Sequence, residues 1–286
     1  MSYKINPGLS AETKVFRYMD LAKFLSLIHQ KTIFFAKASS YEDSLEGMPT
    51  ELDRFLGSES AELLDVTINL MWAGLATDVD DEIRKRNREE ANRAKLDHEN
   101  RNVNTIFGPL KTAQDFGYSS IVKAVSNWVD ISCWHTDASD VESMAMWKIY
   151  GGGSASVCVE STVGDVLSAM SIPPELNVIA GVVTYIDYQK DYVGIDEPIR
   201  FFFNKSKHYE FEKELRFVLR SVQVDDVKAS RVQPGTSVAV DPKVLIKGVM
   251  VSPTASNWFV ELIGLVMRSS GYSVTVSKSK ISVRNA

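Results

Sequence analysis

Three acids stand at alternate positions in Tyr209-Glu210-Phe211-Glu212-Lys213-Glu214, and the run passes straight into the apolar alternation of Leu215, Phe217 and Leu219. A period of two places Glu210, Glu212 and Glu214 on one face of an extended segment. Like charges on one face repel, so the run reads either as a solvated strand end, with Lys213 and Arg216 as counterions, or as a site that uses carboxylates. A carboxylate fixed at the mouth of a buried strand acts as a base or bonds a ribose hydroxyl. Arg17 is the second candidate, because it lies between Phe16 and Tyr18 in an apolar strand. A guanidinium in that position must reach water, a carboxylate or a phosphate. Its options are an ion pair with Glu214 or Asp43, or the anchoring of a pyrophosphate or ribose.

Ser132-Cys133-Trp134-His135 forms a third group. Neighbouring strand residues face opposite ways, which argues against a nucleophile–base pair here, and no Gly-x-Ser-x-Gly elbow occurs. Ser132 and Trp134 share a face, and a tryptophan beside a polar patch either fills a core or stacks on a flat ring. Trp147 and Tyr150, three apart, share one side of a helix. Gly151-Gly152-Gly153 follows that helix and reads as its stop, since a phosphate cradle precedes a helix. Lys205 and His208 precede the acidic run and either line the same cleft or sit on a solvated face.

The elements that must position these residues alternate irregularly. Strands are expected at residues 15–18, 32–36, 129–134, 156–160, 182–188, 215–219, 246–251 and 273–276. Helices are expected after Asp20, which can cap one, and at 141–150, 163–170, 199–208 and 258–268. Residues 51–118 read as helical, amphipathic over 63–75 and almost wholly charged over 78–102, a pattern of solvated helix faces or of a partner-binding arm. The order lacks strict βαβ alternation, so the class is α+β: one catalytic-type domain, 1–286, with a helical insertion over 51–127.

Composition sets the outer bounds. The 286 residues carry a net charge of -5, with 44% hydrophobic and 24% charged side chains, as expected of a soluble globular protein rather than a passive polyanion binder. Cys133 and Cys158 make no disulfide framework, and with four scattered histidines they offer no metal-ligand set. No apolar run is long enough to span a bilayer and the N-terminus lacks signal-peptide features, so no membrane partner and a cytoplasmic location are expected.

Several blocks together resemble a family of bacterial proteins catalogued as domain of unknown function 2971. They are residues 15–18, 39–47, 131–134, 145–150, 182–188, 205–219 and 246–253. The family tends to have Asn-Asp-Pro in the loop where this chain has Glu42-Asp43-Ser44. A more remote resemblance concerns chemistry. Arginine on the first strand, a serine-bearing strand and Glu-x-Glu entering a later strand are similar in order to the ADP-ribosyltransferase superfamily. That resemblance implies a split β-sheet core and NAD as substrate. Arg17 would be the NAD anchor, Ser132, Trp134, Trp147 and Tyr150 would line the pocket, Glu214 would be the catalytic carboxylate, and Glu212 would orient the acceptor. The family's Ser-Thr-Ser is Ser132-Cys133-Trp134 here. The implied protein transfers ADP-ribose to a macromolecule, protein or nucleic acid, as a bacterial toxin or antiphage effector with an antitoxin or regulatory partner. The alternatives are a non-catalytic binding or regulatory protein that uses the charged helix, and a metal-dependent nuclease-like hydrolase built on Asp43, Glu46, Glu212 and Glu214.

Overall fold

Strand β11 (Glu214–Ser221) is buried at six consecutive positions, Glu214 through Leu219, and forms the middle of the sheet. A strand covered on both faces needs neighbours on both edges and layers above and below. The computed structural model supplies both, and it describes residues 3–55, 81–99, 102–111, 117–137, 142–194 and 197–283. Along a ten-stranded mixed sheet the order is β1 (Tyr3–Ile5), β8 (Leu176–Val182), β11, β6 (Val129–His135), β2 (Lys14–Asp20), β7 (Ser156–Thr162), β13 (Gly248–Val251) and β14 (Val276–Lys278). The fold is α+β, as expected.

The sheet forks at β6. One edge of β6 pairs antiparallel with β11 over seven residues, from Glu214↔His135 to Arg220↔Val129. The other edge is shared. It meets β2 only at Phe16↔His135, then meets β3 (Thr32–Lys37) at Ala36↔Ile131 and Lys37↔Asp130. Strand β3 in turn pairs with β12 (Gly235–Ala239). The limb β2-β7-β13-β14 and the limb β3-β12 therefore separate within a few residues of His135.

Each face of the sheet has its own core. One gathers Val15, Met19, Trp134, Leu215 and Phe217 with the helices Leu21–Gln30, Val163–Ala169 and Asn257–Ser269. The first of these helices begins as expected, with Asp20 accepting the Lys23 N–H at 2.8 Å. On the opposite face Ile131 and Val218 pack with the helix Tyr118–Ser126 and with Phe201, Phe202 and Phe203. The short helix Met144–Tyr150 covers β2 and β7 through Met146 and Trp147. No described helix is long and apolar enough to cross a membrane.

Three local expectations are corrected. Residues 51–118 are not uniformly helical. The helices Glu51–Arg54 and Asp81–Glu99 are followed by a hairpin of β4 (Asn102–Thr105) and β5 (Gly108–Lys111). Gly108 takes φ 100°, and the Thr105 hydroxyl bonds both the Gly108 carbonyl and the Phe107 N–H, so local turn chemistry sets the hairpin. The amphipathic stretch at 63–75 lies outside the described residues. Residues 199–208 form no α-helix: a 3-10 turn Pro198–Phe203 buries three consecutive phenylalanines, and β10 (Asn204–Ser206) then pairs with β9 (Thr184–Ile186). The strand expected at 182–188 is divided, with β8 ending at Val182 and β9 starting at Thr184.

Phe217 lies at the centre of this arrangement, fully buried and edge-on to Trp134 at 6.0 Å between ring centroids. Phe217→Ala is expected to lower stability by about 3–5 kcal/mol, read by urea unfolding, with a shift below 1 kcal/mol contradicting this packing account.

Candidate functional site

Five charged side chains from four segments meet at the end of β11 where that strand begins. Glu214 and Arg216 come from β11 and share a face by their spacing of two. Arg216 is wholly buried. Its Nε donates to Glu214 Oε1 and its Nη2 to Glu214 Oε2, each at 3.0 Å. Nη2 also meets Glu46, from the loop after β3, and Nη1 donates to the Phe202 carbonyl at 2.9 Å. Lys205, on β10, sends its Nζ to Glu212 Oε2 at 2.6 Å, to Glu214 Oε2 at 3.3 Å and towards Glu46 Oε1 at 3.6 Å. Three carboxylates thus surround two cations, all in the interior. Isolated burial of any one would cost several kcal/mol, and mutual pairing offsets that cost.

Aromatic groups close the cluster. The Tyr150 hydroxyl donates to Glu212 Oε1 at 2.9 Å, the Tyr209 ring lies 4.8 Å from the Lys205 ammonium, and the Glu214 N–H donates to the Tyr185 hydroxyl at 2.7 Å. Cys133 lies opposite Arg216 on β6, with the Tyr41 hydroxyl 3.3 Å from its Sγ. Burial alone would raise the Glu214 carboxyl, but the charge and hydrogen bonds of Arg216, with Lys205, hold it below the usual range. Glu46 goes the other way, since burial outweighs Arg216 and Lys205 and pushes its carboxyl up. Burial opposes the charge on Lys205, yet Glu214, Glu46 and Glu212 keep its ammonium above the usual range.

The acidic run is not the extended segment its spacing implied. Lys207–Glu212 is a 3-10 turn, Lys213 takes a left-handed conformation at φ 41°, and the strand starts only at Glu214. The turn leaves Glu210 exposed while Glu212 and Glu214 both point into the cluster. His135 fixes this turn: its buried Nδ1 lies 2.6 Å from the Glu212 carbonyl. Burial lowers the His135 pKa, which favours the neutral ring, with Nδ1–H as donor.

The remaining sequence candidates fall into two places. Arg17 and Trp134 lie on the other face of the sheet from Glu214, because Phe16, which precedes Arg17, is the residue paired with His135. Arg17 occupies the fork. Its Nη2 donates to the Phe34 carbonyl on β3 at 3.3 Å, and its guanidinium lies 5.5 Å from the centre of the Trp134 ring. Neither Glu214 nor Asp43 pairs with it, and no ion pair joins it to an acid among the described residues. Burial lowers its pKa, and the groups that oppose this are Cys133 and Tyr41, which belong to the carboxylate side. Ser132 and Trp134 are buried and satisfy one another, with Trp134 Nε1 donating to Ser132 Oγ at 3.2 Å. Trp147 packs edge-on against Tyr18 and donates to Glu142, while Tyr150, on the same helix, is 41% exposed and reaches Glu212. Gly151-Gly152-Gly153 ends that helix, with φ of 73° and 118° at the last two glycines.

Sequence reasoning missed Arg216 and Lys205 as the organising cations. The signal was present for Arg216, two residues from Glu214 and so on its face. Lys205 and Glu46 come together only through the tertiary fold. Among the described residues no group of three or more His, Cys, Asp or Glu is placed to hold a metal ion. The space between Glu46, Glu212 and Glu214 is taken by the Lys205 ammonium.

No protein-family model and no curated protein matches the chain. The likeness to domain of unknown function 2971 therefore remains one of sequence blocks. Among solved structures the chain is similar to Thermus sp. 2.9 DarT in complex with ADP-ribosylated ssDNA, at 8% identity over 95% of this chain and 96% of that one, with a TM-score of 0.36. The same protein in complex with NAD+ gives 8% identity, 95% and 98% coverage, and a TM-score of 0.36. In complex with carba-NAD+ it gives 7%, 95% and 97%, and 0.36. At these scores the likeness carries nothing about the chemistry of this chain.

Glu214 binds fewer protons in the fold than in the unfolded chain near the usual glutamate value of 4.5. Its stabilisation is therefore complete above that pH and is lost as pH falls below it. Glu214→Gln is expected to flatten the fall in stability between about pH 4.5 and pH 2 relative to wild type, measured by urea unfolding across that range. Arg216→Leu, which strands two buried carboxylates, is expected to cost about 3–5 kcal/mol at neutral pH in the same assay.

Proposed function

We propose that the chain is an ADP-ribosyltransferase-like enzyme that consumes NAD and transfers ADP-ribose to a macromolecule, protein or nucleic acid, in a toxin or antiphage role. The observation that carries this reading is Glu212. It is 5% exposed and held on one oxygen by Lys205, yet its other oxygen is capped only by Tyr150, a residue 41% exposed. A carboxylate so placed is fixed in advance and reached by moving or stacking on one phenol ring.

Cleavage of the nicotinamide–ribose bond sends the bonding pair to nicotinamide and leaves positive charge on the ribose. A fixed carboxylate in a poorly solvated site favours that charge more in the transition state than in the ground state. The acceptor then forms its bond to the ribose carbon and gives up its proton, for which Glu212 is the nearest base. Glu212 takes the ribose-facing role better than Glu214, whose two oxygens are already bonded by Arg216. Glu214 is the positioning residue, holding Arg216 and Lys205 against the turn. Tyr150 stacks on the nicotinamide, while Arg17, on the other face of the sheet, ties β2 to β3 at the fork and takes no part in holding NAD. Trp147 packs against Tyr18 and anchors the helix that carries Tyr150, while Ser132 and Trp134 are packed on the opposite face of the sheet.

Incubation with labelled NAD and cell lysate tests the reading. Wild type is expected to release nicotinamide and label a macromolecule. Glu212→Gln, which keeps the size and shape of the side chain, is expected to lower release by about a hundredfold. Wild type and Glu212→Gln releasing equal nicotinamide and labelling nothing would remove the proposal.

A further inference from the structure

The helix Asn257–Ser269 buries Phe259, Ile263 and Met267 against the sheet, as an amphipathic helix does. Its opposite side is apolar as well. Trp258, Leu262 and Leu265 are 64%, 36% and 56% exposed, and their spacing of four and three sets them in one stripe. The Trp258 ring is held in place, edge-on to buried Phe259 with centroids 5.9 Å apart. A fixed, exposed indole beside two leucines has the composition of an interface centre rather than of a solvated surface.

Two charges border the stripe. Glu261 and Arg268 are exposed and stand two helical turns apart, so both lie along the same edge of the stripe. Neither side chain makes an ion pair or a hydrogen bond among the described residues. Arg268 is nonetheless seated. Gly264 has no side chain, and the guanidinium lies over that gap, with Nη1 3.2 Å from where a Cβ would stand.

These positions complement themselves in one arrangement. Two copies of the helix packed antiparallel about a two-fold axis bring each edge of the stripe against the same edge of the neighbour. The register that sets Leu262 against the partner's Leu265 also sets Trp258 against the partner's Ser269, a large ring against a small residue. In that register Glu261 meets the partner's Arg268, and the symmetry makes the pair twice. A parallel pair would set Glu261 beside the partner's Val266 and leave both charges unmatched.

We propose that this face docks a second copy of the chain, in an antiparallel two-fold dimer through the helix Asn257–Ser269. The helix packs on the opposite face of the sheet from the carboxylate cluster, so the proposal does not rest on the NAD reading. The contact is at the low end of area for a specific interface, and the dimer is expected to dissociate in roughly the micromolar range.

Sedimentation equilibrium of the full chain, from about 1 to about 300 μM, tests it. Wild type is expected to pass from monomer to dimer across that range. Leu265→Glu, which places a charge in the stripe of both copies, is expected to weaken association at least about a hundredfold. Glu261→Arg and Arg268→Glu each set like charges together twice and are each expected to weaken it about tenfold. Combining the two reversals is expected to restore wild-type association, which a merely structural role for either residue would not do. Circular dichroism checks that the variants are folded. If Leu265→Glu does not fold, the charge reversals decide the matter. Wild type that stays monomeric throughout, a folded Leu265→Glu that associates like wild type, or a double reversal no tighter than the single ones would overturn the proposal. Monomeric wild type that sediments with phosphatidylcholine vesicles, and ceases to do so in Leu265→Glu, would overturn it too and assign the face to a membrane surface.

Discussion

Arg216 is the constraint around which the centre of the molecule is arranged. Its guanidinium has no exposure at all, so every N–H it carries must find an acceptor inside the protein. Glu214 supplies two acceptor oxygens, Glu46 another and the Phe202 carbonyl a fourth. These acceptors come from β11, from the loop after β3 and from the 3-10 turn before β10. One buried cation therefore fixes the position of three segments far apart in sequence. Lys205 repeats the logic from β10 and draws in Glu212. A well-packed apolar centre would hold these segments at less desolvation cost, so the charged arrangement earns its place by what it positions rather than by stability.

The fork at β6 has an equally local cause. Strand β2 meets β6 at one residue pair before β3 takes over the same edge. Where two strands leave a shared edge, backbone groups and side chains between them lose their regular partners. Arg17 occupies that gap, bonding a carbonyl of β3 from its root on β2 and lying over Trp134 of β6. It bridges all three strands at the point of divergence. Cys133 and Tyr41 touch one another beside the Arg216 cluster, and burial pushes both groups up, so each stays neutral there.

The sequence makes some of this legible and conceals the rest for identifiable reasons. Period-two alternation from Leu215 to Leu219 marks the central strand, and Asp20 marks the start of the first helix. The special status of Glu212 and Glu214 is also visible, since like charges beside a buried strand call for an explanation. The geometry that joins them is not. A single left-handed residue, Lys213, converts the run from a strand into a turn and removes Glu210 from the group. Lysine has no marked preference for that conformation, so composition gives no warning. Arg17 is recognisable as a buried cation, but its face relative to Glu214 depends on which residue of β2 pairs with His135. A register is a tertiary fact, and one step of slip reverses it. The hairpin at Gly108 was hidden for another reason: it follows a long charged helix, and its turn signals are confined to a few residues.

Hydrogen-bond partners divide the two glutamates more sharply than burial or spacing does. Glu214 is 3% exposed and Glu212 5%, nearly the same, but their partners differ in kind. Both oxygens of Glu214 face a guanidinium that itself cannot reach water, so moving Glu214 would strand Arg216. Glu212 is held by an ammonium on one side and a phenol on the other, and that phenol belongs to a ring that already meets solvent. Removing the Tyr150 contact frees a carboxylate oxygen without leaving any buried cation unpaired, because Lys205 retains Glu46 and Glu214. The energetic cost of presenting a carboxylate to a ligand is therefore lowest at Glu212. Glu214 and Glu46 are what keep that cost low, by holding the two cations in place when Glu212 turns its free oxygen outward.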